Sequence, residues 1–150
     1  MKPEERKNAG CGAAALRLER ERIDARRVIL VVEDEADLAV TCERLLRRRG
    51  YAVVTVGSRA AALAALAETP PAVLICDIRL PDGDGLDVVR AAGAMRPPVP
   101  AVVMTGQASE RGQAAARAAG AAAYLPKPFT AASFGDLVDR VLTMRSAGNA

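Results

Sequence analysis

The composition of this 150-residue chain is that of one folded domain, with 51% hydrophobic and 26% charged residues. The chain contains no histidine, which excludes Ser-His-Asp and Cys-His catalysis and the common zinc sites. Its net charge of +3 arises within residues 1–27, because the rest of the chain carries thirteen basic and thirteen acidic residues, and a basic face for nucleic acid is not expected.

The chain begins with a charged segment, residues 1–27, which is predicted to be partly helical. A solvated lead-in helix and a dimerisation or docking element are both open interpretations of it. No apolar stretch of signal-peptide type follows Met1, and no run approaches the ~18 residues of a membrane helix. Cys11, Cys42 and Cys76 lack metal-binding spacing and are interpreted as reduced, mostly buried side chains. A cytoplasmic location without membrane contact is expected.

From Val28 onward, short β-branched runs alternate with amphipathic helical patterns. Ser58 and Thr130 are predicted to cap the second and fifth helices, and Gly50 to end the first. The strands are predicted over residues 28–32, 51–56, 72–77, 101–105 and 122–125. The helices are predicted over 37–49, 59–68, 86–95, 109–119 and from Thr130 to about 144. The folded domain is therefore placed at 28–144, followed by a short tail at 145–150.

Five strands alternating with five helices predict an α/β fold, namely a doubly wound parallel sheet with helices on both faces. Loops at the carboxyl ends of such strands gather at one edge of the sheet. Polar residues end or directly follow four of the five predicted strands: Glu33, Asp34, Asp77, Thr105 and Lys127. The sequence therefore predicts a single polar site at this edge.

The chemistry of this predicted site favours phosphoryl transfer. Carboxylates ~4 Å apart repel by about 4 kcal/mol at an effective dielectric of ~20. A small hard cation removes that cost, and Mg²⁺ in particular accepts carboxylates while keeping waters. A lysine and a threonine hydroxyl are donors that hold a phosphoryl group. The expected reaction is phosphoryl transfer to Asp77.

Four motifs carry a resemblance to a known family. VVEDE, LICDIRLPDGDGLD, VVMTG and YLPKPF occur in this order, and Pro81 and Gly85 lie four and eight positions after Asp77. Together they resemble the receiver domain of two-component response regulators over residues 28–144. The resemblance implies a flavodoxin-like strand order, 2-1-3-4-5, which the predicted elements alone do not determine.

The same resemblance implies a role for each motif residue. Asp77 is the implied acceptor of a phosphoryl group from a phosphohistidine on a partner histidine kinase or a histidine phosphotransfer protein. Glu33, Asp34, Asp77 and the backbone carbonyl of Arg79 are the implied ligands of Mg²⁺. Lys127 is implied to bridge to the phosphoryl oxygens, and the Lys127–Pro128 peptide to be cis.

Further residues of the resemblance concern the response to phosphorylation. Thr105 is implied to turn its hydroxyl toward the phosphoryl group, and Tyr124 to follow it inward, although simple packing of this ring is an open alternative. This movement would reshape a protein-binding face formed by helix four, strand five and helix five. Arg79 and Gln107 flank the phosphoryl position, and we hypothesise that Arg79 slows water attack on it. Gly135 predicts a soft place in the last helix.

Several functions are compatible with the sequence. The first is a single-domain response regulator without an attached effector, since only six residues follow Met144. It would be a phosphoacceptor and not an enzyme, and it would act on a protein target and not on nucleic acid directly. A phosphate sink and a phosphorelay intermediate are variants of it. A small phosphohydrolase with an aspartate nucleophile and a phosphorylation-independent pseudo-receiver are alternatives of other classes.

Overall fold

Five parallel strands form the central sheet of this chain in a computed structural model that describes residues 28–148. The strands are β1 Val28–Val32, β2 Ala52–Val56, β3 Val73–Asp77, β4 Ala101–Thr105 and β5 Ala123–Pro126. Their order across the sheet is β2-β1-β3-β4-β5, which confirms the doubly wound arrangement and the strand order that the resemblance implied. The predicted helix in residues 1–27, together with Cys11, lies outside the described residues.

Five helices cover the two faces of the sheet and enclose a separate hydrophobic core on each. They are α1 Ala36–Arg48, α2 Arg59–Glu68, α3 Gly85–Ala94, α4 Glu110–Ala118 and α5 Ala131–Gly148. Helices α1 and α5 pack on one face, and α2, α3 and α4 pack on the other. Every residue of β3 and β4 is buried, as expected for central parallel strands. No helix within residues 28–148 has the length and apolar character needed to cross a membrane.

The ends of the helices agree with the predicted capping residues. The Ser58 hydroxyl accepts a hydrogen bond from Ala61 N at 3.1 Å, and the Thr130 hydroxyl accepts one from Ser133 N at 3.0 Å. Gly50 follows α1 with φ of 92°, the left-handed region in which glycine has no steric penalty. The last helix extends four residues beyond the predicted end, to Gly148.

The segment between β3 and α3 contains structure that the sequence did not predict. Arg79–Leu80 and Gly83–Asp84 pair as a two-stranded antiparallel hairpin where a loop was expected. Asp82 in its turn accepts hydrogen bonds from the backbone N–H groups of Arg59 and Ala60, at 2.6 and 2.9 Å. These bonds tie the segment after β3 to the first turn of α2, and they lower the pKa of Asp82.

Gly135 in α5 has a packing role that the sequence did not reveal. A Cβ atom there would lie 2.1 Å from Nε of Arg49, so the missing side chain makes room for the Arg49 guanidinium. Arg49 reaches Asp139 at 2.7 Å and Asp136 at 3.2 Å, and Tyr51 also donates a hydrogen bond to Asp139. The glycine therefore supports a contact between α5 and the segment that joins α1 to β2.

Candidate functional site

Three buried polar side chains mark the carboxyl edge of the sheet. Glu33, Asp77 and Thr105 have exposed fractions of 3%, 8% and 6%, and no other polar or charged residue within residues 28–144 is buried. Each lies at the end of a strand or directly after it, at β1, β3 and β4. Buried carboxylates are rare unless they are paired or bind a metal, so this grouping indicates a site.

Lys127 joins the two buried carboxylates. Its Nζ atom lies 2.8 Å from Oδ2 of Asp77 and 3.0 Å from Oε2 of Glu33. The other oxygen of each carboxylate accepts a backbone hydrogen bond, from Arg79 N to Asp77 at 3.1 Å and from Glu35 N to Glu33 at 3.3 Å. Residues that are up to 94 positions apart thus meet at one point, as the strand pattern predicted.

The burial and the charges of this group shift its pKa values. Burial raises the pKa of Glu33 above its ordinary value, the negative charge of Asp77 adds to the increase, and the hydrogen bond from Lys127 opposes it. Burial alone would lower the pKa of Lys127, but the hydrogen bonds to Asp77 and Glu33 outweigh that effect and raise it. The lysine therefore remains charged at neutral pH.

An acidic cluster is formed by Glu33, Asp34 and Asp77. One carboxylate oxygen from each of them lies within 4.8 Å of the others. The side chain of Asp34 is exposed, so the cluster opens to solvent on one side while the other two acids are buried. Three hard oxygen donors with access to water suit a divalent cation of the Mg²⁺ type.

Backbone contacts fix Lys127 and Thr105 relative to each other. The N–H group of Lys127 donates to the carbonyl oxygen of Thr105 at 2.7 Å, and the Lys127–Pro128 peptide is cis, as expected. The Thr105 hydroxyl accepts a hydrogen bond from Gln107 N at 3.1 Å. The end of β4 and the loop after β5 are therefore held together beside the two carboxylates.

Arg79 and Gln107 connect the two loops on either side of the site. Nη2 of Arg79 donates to Oε1 of Gln107 at 2.5 Å, and both residues are exposed. Arg79 follows β3 and Gln107 follows β4, so the hydrogen bond spans from one strand end to the next. The structure thus brings together the two residues that the sequence placed beside the site.

Gly85 permits a close approach to the backbone of Asp77. A Cβ atom at residue 85 would lie only 1.9 Å from the carbonyl oxygen of Asp77. The N–H group of Gly85 also donates to the carbonyl of Ile78 at 2.7 Å. The sequence singled out this glycine by its spacing alone, and the structure supplies the physical reason for it.

Tyr124 lies apart from the carboxylates, in β5, and packs against the core that α2, α3 and α4 cover. Its ring is half-buried, and its hydroxyl is buried without a hydrogen-bond partner among the described residues. The hydroxyl lies against Gly112 of α4. The sequence reasoning missed Gly112, because nothing in the local pattern connects it to a residue twelve positions away.

The comparisons with known proteins agree with this geometry. The profile of the response regulator receiver domain family matches residues 29–140, which is most of the chain. The chain belongs to this family, and the resemblance found in its motifs is confirmed. It is therefore a signalling domain of two-component response regulators.

Curated relatives show the same relationship. The transcriptional regulatory protein PrrA of Mycobacterium leprae is 39% identical over 119 residues, which cover 79% of this chain and 51% of that protein. The DNA-binding transcriptional regulator NtrC of Escherichia coli is 34% identical over 118 residues, which cover 79% of this chain and 25% of that protein. The chain thus spans about half of the first relative and a quarter of the second.

Solved structures of similar shape are also receiver domains. A CheY-like receiver domain protein from Methanospirillum hungatei superposes with a TM-score of 0.77 at 25% identity, covering 81% of this chain and 98% of that one. The non-phosphorylated HemR receiver domain from Leptospira biflexa superposes with a TM-score of 0.71 at 29% identity, covering 77% and 93%.

Proposed function

We propose that this chain accepts a phosphoryl group on Asp77 from a phosphohistidine of a partner histidine kinase or histidine phosphotransfer protein. The observation that carries the proposal is the contact of Lys127 with both Asp77 and Glu33, because it places a fixed positive charge beside the acceptor carboxylate. A carboxylate oxygen of Asp77 forms the new bond to phosphorus as the bond between phosphorus and the imidazole nitrogen breaks. The electron pair of that bond stays on the donor imidazole.

Mg²⁺ is the cofactor that the acidic cluster fits. Glu33, Asp34 and Asp77 would hold it through their carboxylates, and the backbone carbonyl of Arg79 is a further proposed ligand. When bound, the ion neutralises charge on the phosphoryl oxygens. Lys127 contributes a second positive charge and keeps the Asp77 carboxylate in place.

Thr105 and Tyr124 are proposed to convert the modification into a change of surface. Thr105 is buried at the end of β4, which pairs with the strand that carries Asp77, and its hydroxyl would turn toward a phosphoryl group on Asp77. The phosphorylated side chain carries a charge of roughly −2 where the carboxylate carried −1, and this change shifts the balance between two conformations. The surface of α4, β5 and α5, which includes Tyr124, is the proposed binding face for a downstream protein.

Arg79 and Gln107 are proposed to control how long the phosphoryl group persists. Their hydrogen bond links the loops after β3 and β4, and we propose that it covers the side from which water would reach a phosphoryl group on Asp77. Arg79→Ala should therefore shorten the lifetime of the adduct, and Gln107→Ala should do so less, because the guanidinium remains available for pairing. Equal lifetimes in the wild type and Arg79→Ala would refute this role.

A groove beside the site is the proposed place for the phosphohistidine donor. It has a volume of about 610 Å³ and lies between α1 and the loop that precedes α5. Leu38, Leu45 and Phe129 give it an apolar lining, and Lys127 forms part of its wall. Lys127 also contacts Asp77, so a donor segment seated in this groove would lie beside the residue that holds the acceptor carboxylate.

The readout is proposed to be contact between this protein surface and a protein target, and not direct contact with nucleic acid. PrrA and NtrC are named as transcriptional or DNA-binding regulators, and those activities belong to proteins at least about twice as long as the matched segment. The lifetime of the phosphoryl adduct distinguishes three variants of this function, namely a signalling regulator, a phosphate sink and a phosphorelay intermediate.

The test is intact-mass measurement after incubation with a small acyl-phosphate donor, with and without Mg²⁺. The wild type should gain one phosphoryl group only with Mg²⁺, and Asp77→Asn should gain none. Asp139→Asn is a matched control outside the site and should behave as the wild type. An absence of any adduct on the wild type, under conditions that label a known receiver domain, would overturn the proposal in favour of a pseudo-receiver.

A further inference from the structure

The inward position of Tyr124 needs an explanation. Its hydroxyl is buried and has no hydrogen-bond partner among the described residues. An unpaired buried hydroxyl loses its hydration without compensation, so the hydroxyl itself disfavours this position. Packing of the ring against the core favours the inward position. The space around the hydroxyl decides whether this packing outweighs the cost of burying the hydroxyl.

Gly112 in α4 provides that space. A Cβ atom at residue 112 would lie 3.1 Å from the Tyr124 hydroxyl and 3.0 Å from the Ser109 hydroxyl, both closer than ordinary van der Waals contact. Each hydroxyl group would have to give way by a few tenths of an ångström. Ser109 caps α4 and accepts a hydrogen bond from Gly112 N at 2.9 Å, whereas the Tyr124 hydroxyl has no such partner within the part of the chain that the structure describes. Tyr124 is therefore the side chain that moves more readily when a larger residue occupies position 112.

We infer that Gly112 is a positioning residue for Tyr124, and that its missing side chain lets the ring point inward before any phosphoryl group is present. The inference rests on the proposed function in one respect, namely that the position of Tyr124 is the output of the domain. Residue 112 then sets the resting balance between the inward and outward positions, and phosphorylation shifts a balance that already favours the inward one.

The same residue would regulate the adjacent surface. Tyr124 forms one wall of a groove of about 200 Å³ between α4 and β5, together with Gln113, Ala116 and Arg117. A change in the position of the ring changes the shape of this groove. The identity of residue 112 is therefore expected to determine what fraction of the unphosphorylated molecules has the binding face in its Tyr124-inward shape.

The chain is well suited to a direct test, because it contains only two tyrosines and no tryptophan. Incorporation of 3-fluorotyrosine gives two fluorine resonances, from Tyr51 and Tyr124, and a Tyr51→Phe variant assigns them. A soluble paramagnetic probe then reports how exposed each ring edge is. The measurement is made without a phosphoryl donor, so it addresses the resting state alone.

The expected result is a graded response at residue 112. In the wild type the Tyr124 resonance is protected from the probe, in Gly112→Ala it is less protected, and in Gly112→Leu its broadening rises roughly threefold or more as the ring turns outward. A Cβ atom at Gly93 in α3 would have no other atom within 4 Å, so Gly93→Ala and Gly93→Leu are matched controls that should leave Tyr124 protected. If Gly112→Leu does not fold, Gly112→Ala carries the test.

Two results would overturn the inference: a Tyr124 resonance that is already exposed in the wild type, or one that stays equally protected in both Gly112 variants. A second arm separates this outcome from the proposed function. With donor and Mg²⁺, Tyr124 should become more protected in both proteins, and the gain should be larger in Gly112→Ala because more of its population starts in the outward position. Absence of a mass adduct would defeat the proposed function and leave the resting-state result standing, whereas an adduct with no effect of residue 112 would defeat the inference alone.

Discussion

At the scale of single residues, Gly85→Ala is predicted to destabilise the protein, although helix propensity favours the opposite. Gly85 begins α3, so helix propensity alone predicts that Gly85→Ala stabilises the protein. The added Cβ would instead meet the backbone of Asp77 at 1.9 Å. Overpacking of this kind costs about 1–3 kcal/mol or more. Chemical denaturation should show a lower free energy of unfolding for Gly85→Ala. It should show no such loss for Gly93→Ala, because a Cβ atom at residue 93 has no other atom within 4 Å.

Lys127 gives a prediction about pH. Lys127→Met removes the hydrogen bond and the charge that oppose the rise in the pKa of Glu33, so that pKa moves further above its ordinary value of 4.5. The folded state of the variant then binds a proton more tightly than the unfolded state. The free energy of unfolding of Lys127→Met, relative to the wild type, should therefore be highest at acidic pH, below the ordinary carboxyl range. It should fall as the pH rises through the pKa of Glu33 in the folded state.

Denaturation midpoints across a pH series check this prediction. The difference between Lys127→Met and the wild type should widen from acidic to neutral pH. Adding Glu33→Gln to Lys127→Met should remove most of that widening, because the carboxyl that titrates is gone. Parallel pH curves for Lys127→Met and the wild type would contradict the assigned electrostatics.

At the scale of elements, Gly135 and Arg49 give a prediction about coupling. Replacing a helical glycine by alanine gains up to about 1 kcal/mol where space is free. Gly93→Ala should show this gain in the free energy of unfolding, and Gly135→Ala should show a smaller one. The Cβ atom at residue 135 displaces the Arg49 guanidinium from Asp136 and Asp139. The Arg49 pairs are partly exposed, so their loss offsets only part of the gain.

A double-mutant cycle measures this coupling. In an Arg49→Ala background, Gly135→Ala should recover the full gain seen at Gly93. Equal gains at residues 135 and 93 in the wild-type background would show that Arg49 does not hold α5.

The elements also show how far the sequence alone could go. All five strands and five helices were predicted within a few residues, because buried parallel strands and capped helices leave local patterns such as VILVV and Ser58. The convergence of Glu33, Asp77, Thr105 and Lys127 was predicted too, since the carboxyl ends of parallel strands share one edge. The strand order came from the resemblance and not from the pattern.

What the sequence could not predict depends on contacts between distant elements. Gly135 looked like a weak point because its helix gives no sign of Arg49, which is far away along the chain. Gly112 was overlooked for the same reason, as only the fold places it against Tyr124. The hairpin after β3 was expected as a loop, because Pro81 and the glycines around it obscure strands of two residues.

At the scale of the whole molecule, the acidic cluster predicts stabilisation by Mg²⁺. A cation that binds the folded state only adds about 1.4 kcal/mol at ten times its dissociation constant. For a chain of this size, that raises Tm by roughly 3 to 6 °C. Asp34→Asn should lose most of the shift, whereas Asp37→Asn, a matched change outside the cluster, should keep it. Equal shifts in both variants would show that the ion binds elsewhere.

The central claim is that Asp77 carries the phosphoryl group, and mapping the modified residue tests it most directly. After incubation with an acyl-phosphate donor and Mg²⁺, borohydride reduces an aspartyl phosphate to homoserine, and peptide mass spectrometry locates the change. The account predicts homoserine at residue 77 and unmodified aspartate or glutamate at Glu33 and Asp34. Homoserine at another position, or none anywhere in a sample that carries a phosphoryl adduct, would contradict it.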